Sequence, residues 1–266
     1  MNSPLKIVHC QQQPEPAPPL LKVEKLGRSF ISAGNGRNHV LQNVSFSAQN
    51  GEFLCILGRS GCGKTTLLKL LAGFISPGHG TISLNNQPVC RPGPERCVVF
   101  QEDALFPWLT VRENIAFGLS GKSWNKKEKN REIDRFLDLV GLSDFGSYLP
   151  HEISGGMKQR VALARVLILN PRVLLMDEPF AALDAQTREE MQNLLLELWR
   201  EFAHTILFVT HDVSEAVLLA DRILLFDKNP GTIQKDVSVA LPRPRETGSN
   251  NFISCCRDIK EQLKIR

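Results

Sequence analysis

No stretch of this 266-residue chain is apolar for long enough to cross a membrane. The uninterrupted apolar runs are short, of the kind seen at 216–220 (AVLLA), against the roughly 18 residues that a spanning helix needs. The opening residues, MNSPLKIVHCQQQ, lack the apolar stretch of a secretory signal. The seven cysteines are odd in number and include no C-x-x-C pair. A disulfide scaffold and a zinc site are therefore poor readings, and a reducing compartment is expected. Charge of one sign is also scarce, since 32 Lys+Arg against 28 Asp+Glu leave +4 spread along the chain. That argues against a dedicated nucleic-acid binder. No internal repeat is visible. What is present is ordinary globular composition, 42% hydrophobic and 23% charged, which excludes wholesale disorder. A soluble intracellular protein with one large core is expected.

Composition shifts mark the organisation. Residues 1–19 end in CQQQPEPAPP, whose prolines remove backbone donors and favour extended chain, so they are expected to form a disordered tail. From Leu20, LLKVEKL and VLQNVSFSA alternate partially, as half-exposed strands do, with a turn expected over 32–38. FLCIL at 53–57 is a continuous apolar run of the sort buried on both faces of a sheet. Similar runs stand at 97–100, 173–176, 205–209 and 223–226, with helical periodicity at 64–71 and 188–202. Strands alternating with helices predict an α/β fold with a mostly parallel sheet. The span 105–169 breaks this rhythm and reads as a helical insertion. A main domain over 20–230 is expected, followed by a C-terminal extension over 231–266 that closes in an amphipathic segment.

Three motifs carry chemistry. GRSGCGKTT at 58–66 matches G-x-x-x-x-G-K-[ST] between a buried strand and an apolar-periodic helix. Backbone N–H groups of Gly58, Arg59, Ser60, Gly61, Cys62 and Gly63 are placed to turn onto phosphate oxygens at a helix start. Lys64 would add a point charge to the β- and γ-phosphates, Thr65 a hydroxyl for Mg²⁺, and Thr66 closes the motif. Cys62, among these amides, is expected to favour its thiolate. VLLMDEP at 173–179 ends a buried strand in two carboxylates, at the sheet edge where ligands collect. Asp177 is a candidate Mg²⁺ acid, and Glu178 a candidate base for the attacking water. ISGGM at 153–157 opens a periodic helix, where Ser154, Gly155 and Gly156 form a second candidate anion site.

Together these elements resemble, over about residues 20–227, the ATP-binding subunits of ABC transporters. The resemblance implies a P-loop NTPase fold of the ABC type with an antiparallel β edge and a helical subdomain over about 105–169. ISGGM resembles the family's LSGGQ signature, with Met157 in place of an amide. The resemblance implies that Gln101 is the Q-loop glutamine touching Mg²⁺ and water, and that AALD at 181–184 is the D-loop. It likewise makes His211 the switch histidine at the γ-phosphate and Phe30 the aromatic stacked on adenine. It implies a head-to-tail homodimer holding two ATP between the phosphate loop of one copy and Ser154–Gly156 of the other. The partners implied are two membrane permease subunits and a periplasmic or lipid-anchored solute-binding protein, with no nucleic acid, at the cytoplasmic face of the inner membrane.

The stretch after Gln101, EDALFPWLTVRENIAFGL, resembles the nitrate, sulfonate and taurine importers, as do PGTI at 230–233 and LPRPRE at 241–246. Phe106, Pro107 and Trp108 form a stiff apolar knob fit to receive a membrane-subunit helix. Aliphatic sulfonate or taurine is the first solute expected and nitrate the second. The alternatives are a soluble non-transport ABC ATPase and a small GTPase or nucleotide kinase. The nearest match to a guanine-reading NKxD, at 125–128, ends in Glu.

Overall fold

The computed structural model describes residues 18–31, 36–100, 104–119, 124–227 and 230–264. Strands β1 (Leu21–Ile31) and β2 (Arg37–Ala48) pair antiparallel, and along β1 buried and exposed positions alternate over its first half. β3 (Phe53–Gly58) is buried at every residue, as a strand covered on both faces must be. It runs directly into α1 (Lys64–Ala72). β4 (His79–Leu84) and the two-residue β5 (Gln87–Pro88) follow, and β6 (Arg96–Val99) leads toward 101–103. The helical insertion holds α2 (Val111–Phe117), α3 (Lys126–Leu139) and α4 (Gly155–Leu167). Each helix starts on a side-chain cap: Thr110 and Asn125 in capping boxes with Glu113 and Glu128, and Ser154 alone. Asn125, first residue of the NKxD-like stretch, is therefore used as a cap. The chain then alternates through β7 (Val173–Asp177), α5 (Ala185–Phe202), β8 (Thr205–Thr210), α6 (Val213–Leu219) and β9 (Arg222–Asp227). β10 (Thr232–Ser238) and α7 (Asn250–Lys264) close the described chain.

Two sheets result. One is antiparallel, in the order β2-β1-β4-β5; the other runs β10-β9-β3-β8-β7-β6, parallel except at β10. Alternate residues of β3 feed opposite cores. Phe53, Cys55 and Leu57 pack toward the later helices, whereas Leu54 and Ile56 pack with α1 and the antiparallel sheet. β8 lies between β3 and β7, with Leu57 beside Thr210 and Val209 beside Asp177. Three strand ends therefore deliver their following loops to one edge.

The expected α/β architecture, with an antiparallel edge and a helical insertion, is present. β4, β5 and β10 were not foreseen. β4 reads HGTISL, with only Ile82 and Leu84 buried, and β10 reads TIQKDVS with its outward face polar. Strands with so few buried apolar residues do not stand out in sequence. β2 also begins at Arg37, inside the expected turn. The segment after 230, expected as an extension, adds β10 to the main sheet, and its Val239, Phe252, Cys256 and Ile259 join the same core as β3. Residues 1–17 of the expected tail lie outside the described residues.

Candidate functional site

At the end of β3 the chain turns sharply into α1. Gly61 and Gly63 hold φ of 79° and 97°, the left-handed region closed to most side chains. A Cβ on Gly63 would also fall 2.9 Å from a Leu41 methyl and 3.0 Å from the Val40 carbonyl oxygen. Arg59, Ser60, Gly61 and Thr65 are exposed, Gly63 and Thr66 are half-buried, and Gly58 and Lys64 are buried. The Lys64 ammonium donates to the carbonyls of Gly58 at 2.8 Å and Arg59 at 3.1 Å, so the loop itself wraps the charge.

The end of β7 meets this loop. Thr65 Oγ1 donates to Asp177 Oδ1 at 3.3 Å. Burial pushes the Asp177 carboxyl above its ordinary range; the Thr65 bond opposes this and neighbouring Glu178 adds to it. Glu178 has φ 45°, a conformation held from outside: its N–H donates to the Val209 carbonyl at 3.0 Å. That bend turns its carboxylate inward, with Oε1 3.5 Å from Lys64 Nζ and Oε2 2.7 Å from His211 Nδ1. His211, at the end of β8, is half-exposed. Lys64, Thr65, Asp177, Glu178 and His211 thus form one cluster. The hydroxyl and carboxylate oxygens of Thr65 and Asp177 are hard donors of the kind Mg²⁺ takes, beside a carboxylate that lacks full compensation, so the residues fit that ion.

The other sequence candidates lie at varying distance from the cluster. Phe30 is 39% exposed near the end of β1, with the Arg28 guanidinium 5.0 Å over its ring. Its sheet reaches the loop through Val40 and Leu41 at Gly63. Gln101 lies outside the described residues. Ser154 caps α4, its Oγ accepting the Met157 N–H at 3.3 Å. Gly155 faces open space, since an added Cβ would meet nothing within 4 Å, while one on Gly156 would strike Thr187 at 2.4 Å. Among the described residues no hydrogen bond joins Ser154–Gly156 to the phosphate loop. Asp184 caps α5 and accepts both the N–H and the hydroxyl of Thr187, at 3.0 and 2.8 Å, which hold its carboxyl below the usual range.

One expectation is corrected. Cys62 is 1% exposed, and burial, the largest influence, raises its thiol above the ordinary value, with Lys64 opposing. The α1 cap is Gly63, so Cys62 sits one residue outside the helix with its sulfur turned into the core. Desolvation outweighs the Lys64 charge and the loop's backbone N–H bonds.

Sequence reading also passed over Glu215, on α6 four residues past His211. It is 92% buried by its 8% exposure, an unusual place for a carboxylate. The one signal was a Glu inside a mostly apolar helix, VSEAVLL.

Known proteins similar to this chain fall in one family. The family described as "ABC transporter" matches residues 41–181. The chain is 46% identical over 238 residues to the nitrate import ATP-binding protein NrtD of Synechocystis, covering 90% of this chain and 89% of that protein. It is 49% identical over 216 residues to the taurine import ATP-binding protein TauB of Roseobacter denitrificans, covering 81% of each. Among solved structures it superposes with a TM-score of 0.72, at 28% identity, on the ATP-binding cassette MJ0796, dimeric in a post-hydrolysis state with ADP and Pi. That match covers 84% of this chain and all of that one. The phosphate loop meeting two carboxylates and a histidine, with these relatives, makes the chain a member of the ABC transporter family, as an ATP-binding subunit that hydrolyses ATP.

Proposed function

We propose that the chain drives an importer of small oxyanions, with aliphatic sulfonates or taurine as the solute. The single observation that carries its catalytic part is the placement of Glu178, bent back onto His211 and Lys64 at the sheet edge. In this reading the phosphate-loop amides and Lys64 hold the ATP phosphates, with Phe30 against adenine. Thr65 and Asp177, helped by Gln101, would hold Mg²⁺, which supplies charge neutralisation on the phosphate oxygens. Glu178 takes a proton from the attacking water, and His211 orients it and faces the γ-phosphate.

The open face of Gly155 supports an intermolecular role for Ser154–Gly156, completing the site of a second copy. The dimeric cassette among the structural relatives supports the same assembly. No helix among the described residues is long and apolar enough to span a membrane, so the solute path is assigned to two permease subunits. The ATPase then sits at the cytoplasmic face of the inner membrane, with a periplasmic or lipid-anchored binding protein on the far side. The solute class rests on the nitrate and taurine relatives; nitrate is the second reading.

Glu178→Gln tests the catalytic part. It keeps the side chain's size and its contact with His211 but removes the base. ATP binding should persist and turnover fall about 10²–10⁴-fold. Near-normal turnover would remove Glu178 from this role. Uptake of labelled taurine and nitrate by the complex reconstituted with its own permease would decide the solute.

A further inference from the structure

Behind His211 lies a buried polar chain that none of the expected motifs includes. The Thr210 hydroxyl accepts the Asp212 N–H at 3.0 Å, closing a tight turn around His211. The Glu215 carboxylate lies beside that hydroxyl, which favours its charged form, and the Glu215 backbone N–H donates to Asp212 Oδ1 at 3.2 Å. Glu215 Oε1 also accepts from Gln192 Nε2 of α5, at 3.1 Å. Thr210, Gln192 and Glu215 are 2%, 8% and 8% exposed, so the chain is sealed from water. One turn before Gln192, Arg188 reaches back and donates to the carbonyls of Phe180 at 3.3 Å and Leu183 at 2.8 Å. Its positive charge lies close enough to Glu215 to oppose the burial of that carboxylate. Glu215 thus stands where two loops are tied together. One carries His211; the other runs from Glu178 to the Asp184 cap of α5.

A buried carboxylate is costly unless its oxygens find partners, and here they lie between Thr210, next to His211, and Gln192 of α5, the helix that follows the 178–184 loop. From this geometry we infer that Glu215 is a positioning residue for ATP hydrolysis. It acts through Thr210 to hold His211, and through α5 to keep the 178–184 loop in register with it. The inference rests on the proposed role of His211, since a held histidine matters only if it acts in turnover. Misplacement of an acting group by about 1 Å can lower a rate about 10²-fold, which makes a device of this kind consequential.

The test is a double-mutant cycle on the full chain. Glu215→Ala and the near-isosteric Thr210→Val should each lower kcat tenfold or more. Equilibrium affinity for labelled ATP should stay within twofold, because neither side chain lies in the phosphate loop. Glu215→Gln, which keeps an acceptor for the Thr210 hydroxyl, should recover most of the loss. In a His211→Ala background, Thr210→Val and Glu215→Ala should have little further effect, since the group they position is gone. Undiminished losses in that background, or equal losses of ATP affinity and kcat, would show general packing and overturn the inference. If Glu215→Ala fails to fold, Thr210→Val and Glu215→Gln decide the matter alone. Wild-type turnover of His211→Ala itself would remove the histidine's role and the inference with it. That result is distinct from additive losses, in which His211 stands and only Glu215 falls.

Discussion

Glu178 occupies a left-handed backbone conformation that costs a β-carbon residue about 1–3 kcal/mol. Its N–H bond to Val209 and its contacts with His211 and Lys64 lie on the favourable side. Net hydrogen bonds contribute about 0.5–1.5 kcal/mol each and charged ones more, so the contacts are of the size needed to hold the bend. The bend itself was not readable from DEP, because φ at this residue depends on the neighbouring strand β8. Cys62 is the matching case. Its place in the loop was plain from sequence, but its chemistry was set by what covers it. With the thiol raised by burial, thiolate is scarce at neutral pH and grows only above the ordinary cysteine range. Maleimide labelling followed by peptide mass mapping should therefore modify exposed Cys90 well before Cys62 at pH 7, with the Cys62 rate climbing as pH rises. Equal rates at neutral pH would contradict the buried sulfur.

The element that carries most unexplained surface is the approach to α2. Trp108 is 72% exposed, while Phe106 packs on Phe117 at 4.6 Å and lies under the Arg165 guanidinium at 5.5 Å. Asn114, fully buried, clamps the turn: its Oδ1 accepts the Phe106 N–H, and its Nδ2 donates to the carbonyls of Phe106, Leu109 and Thr110, all within 2.9–3.1 Å. A cleft of about 420 Å³ opens beside it, lined by Phe106, Phe117, Gly118 and Val166 among others. The knob expected from FPW is thus half anchored and half presented, and Trp108 is the presented half. Trp108→Ala should lower solute uptake by the assembled complex severalfold, while ATP turnover of the isolated subunit stays near wild type. Parallel measurement of the two checks this; a matching loss in both would make Trp108 a packing residue. The insertion over 105–169 was legible as helical only as a whole, although the caps and apolar spacing of its helices are local signals. β4 and β10 were not legible, since one face of each is polar and few of their residues are buried.

At the scale of the whole molecule, no hydrogen bond among the described residues joins Ser154–Gly156 to the phosphate loop of the same chain. Gly155 offers a clean probe, because a Cβ there would meet nothing within 4 Å, whereas one on Gly156 would strike Thr187 of α5. Gly155→Asp should fold normally and place a carboxylate where a partner's phosphates are proposed to lie. Mixed with Lys64→Ala chains, it forms dimers in which one composite site carries both defects and the other carries none. Each variant alone should be nearly inactive, and the mixture should regain a substantial fraction of wild-type turnover. A mixture as inactive as its components would mean that each chain holds a self-contained site.

The contiguous parts of this protein were decided by the order of its residues. The phosphate loop, the acid pair closing β7, the caps of α2 to α4 and the all-buried parallel strands each depend on neighbours within about ten positions. Backbone geometry and hydrophobic periodicity act at that range. What the tertiary structure alone decided is everything that needs two distant segments in contact. The bend that aims Glu178 at His211 needs β8 beside β7, and the sealing of Cys62 needs the antiparallel sheet over α1. The carboxylate of Glu215 gains its Gln192 partner only because α5 and α6 meet behind His211. Burial and hydrogen-bond satisfaction are properties of the packed interior, and no local window of sequence contains them.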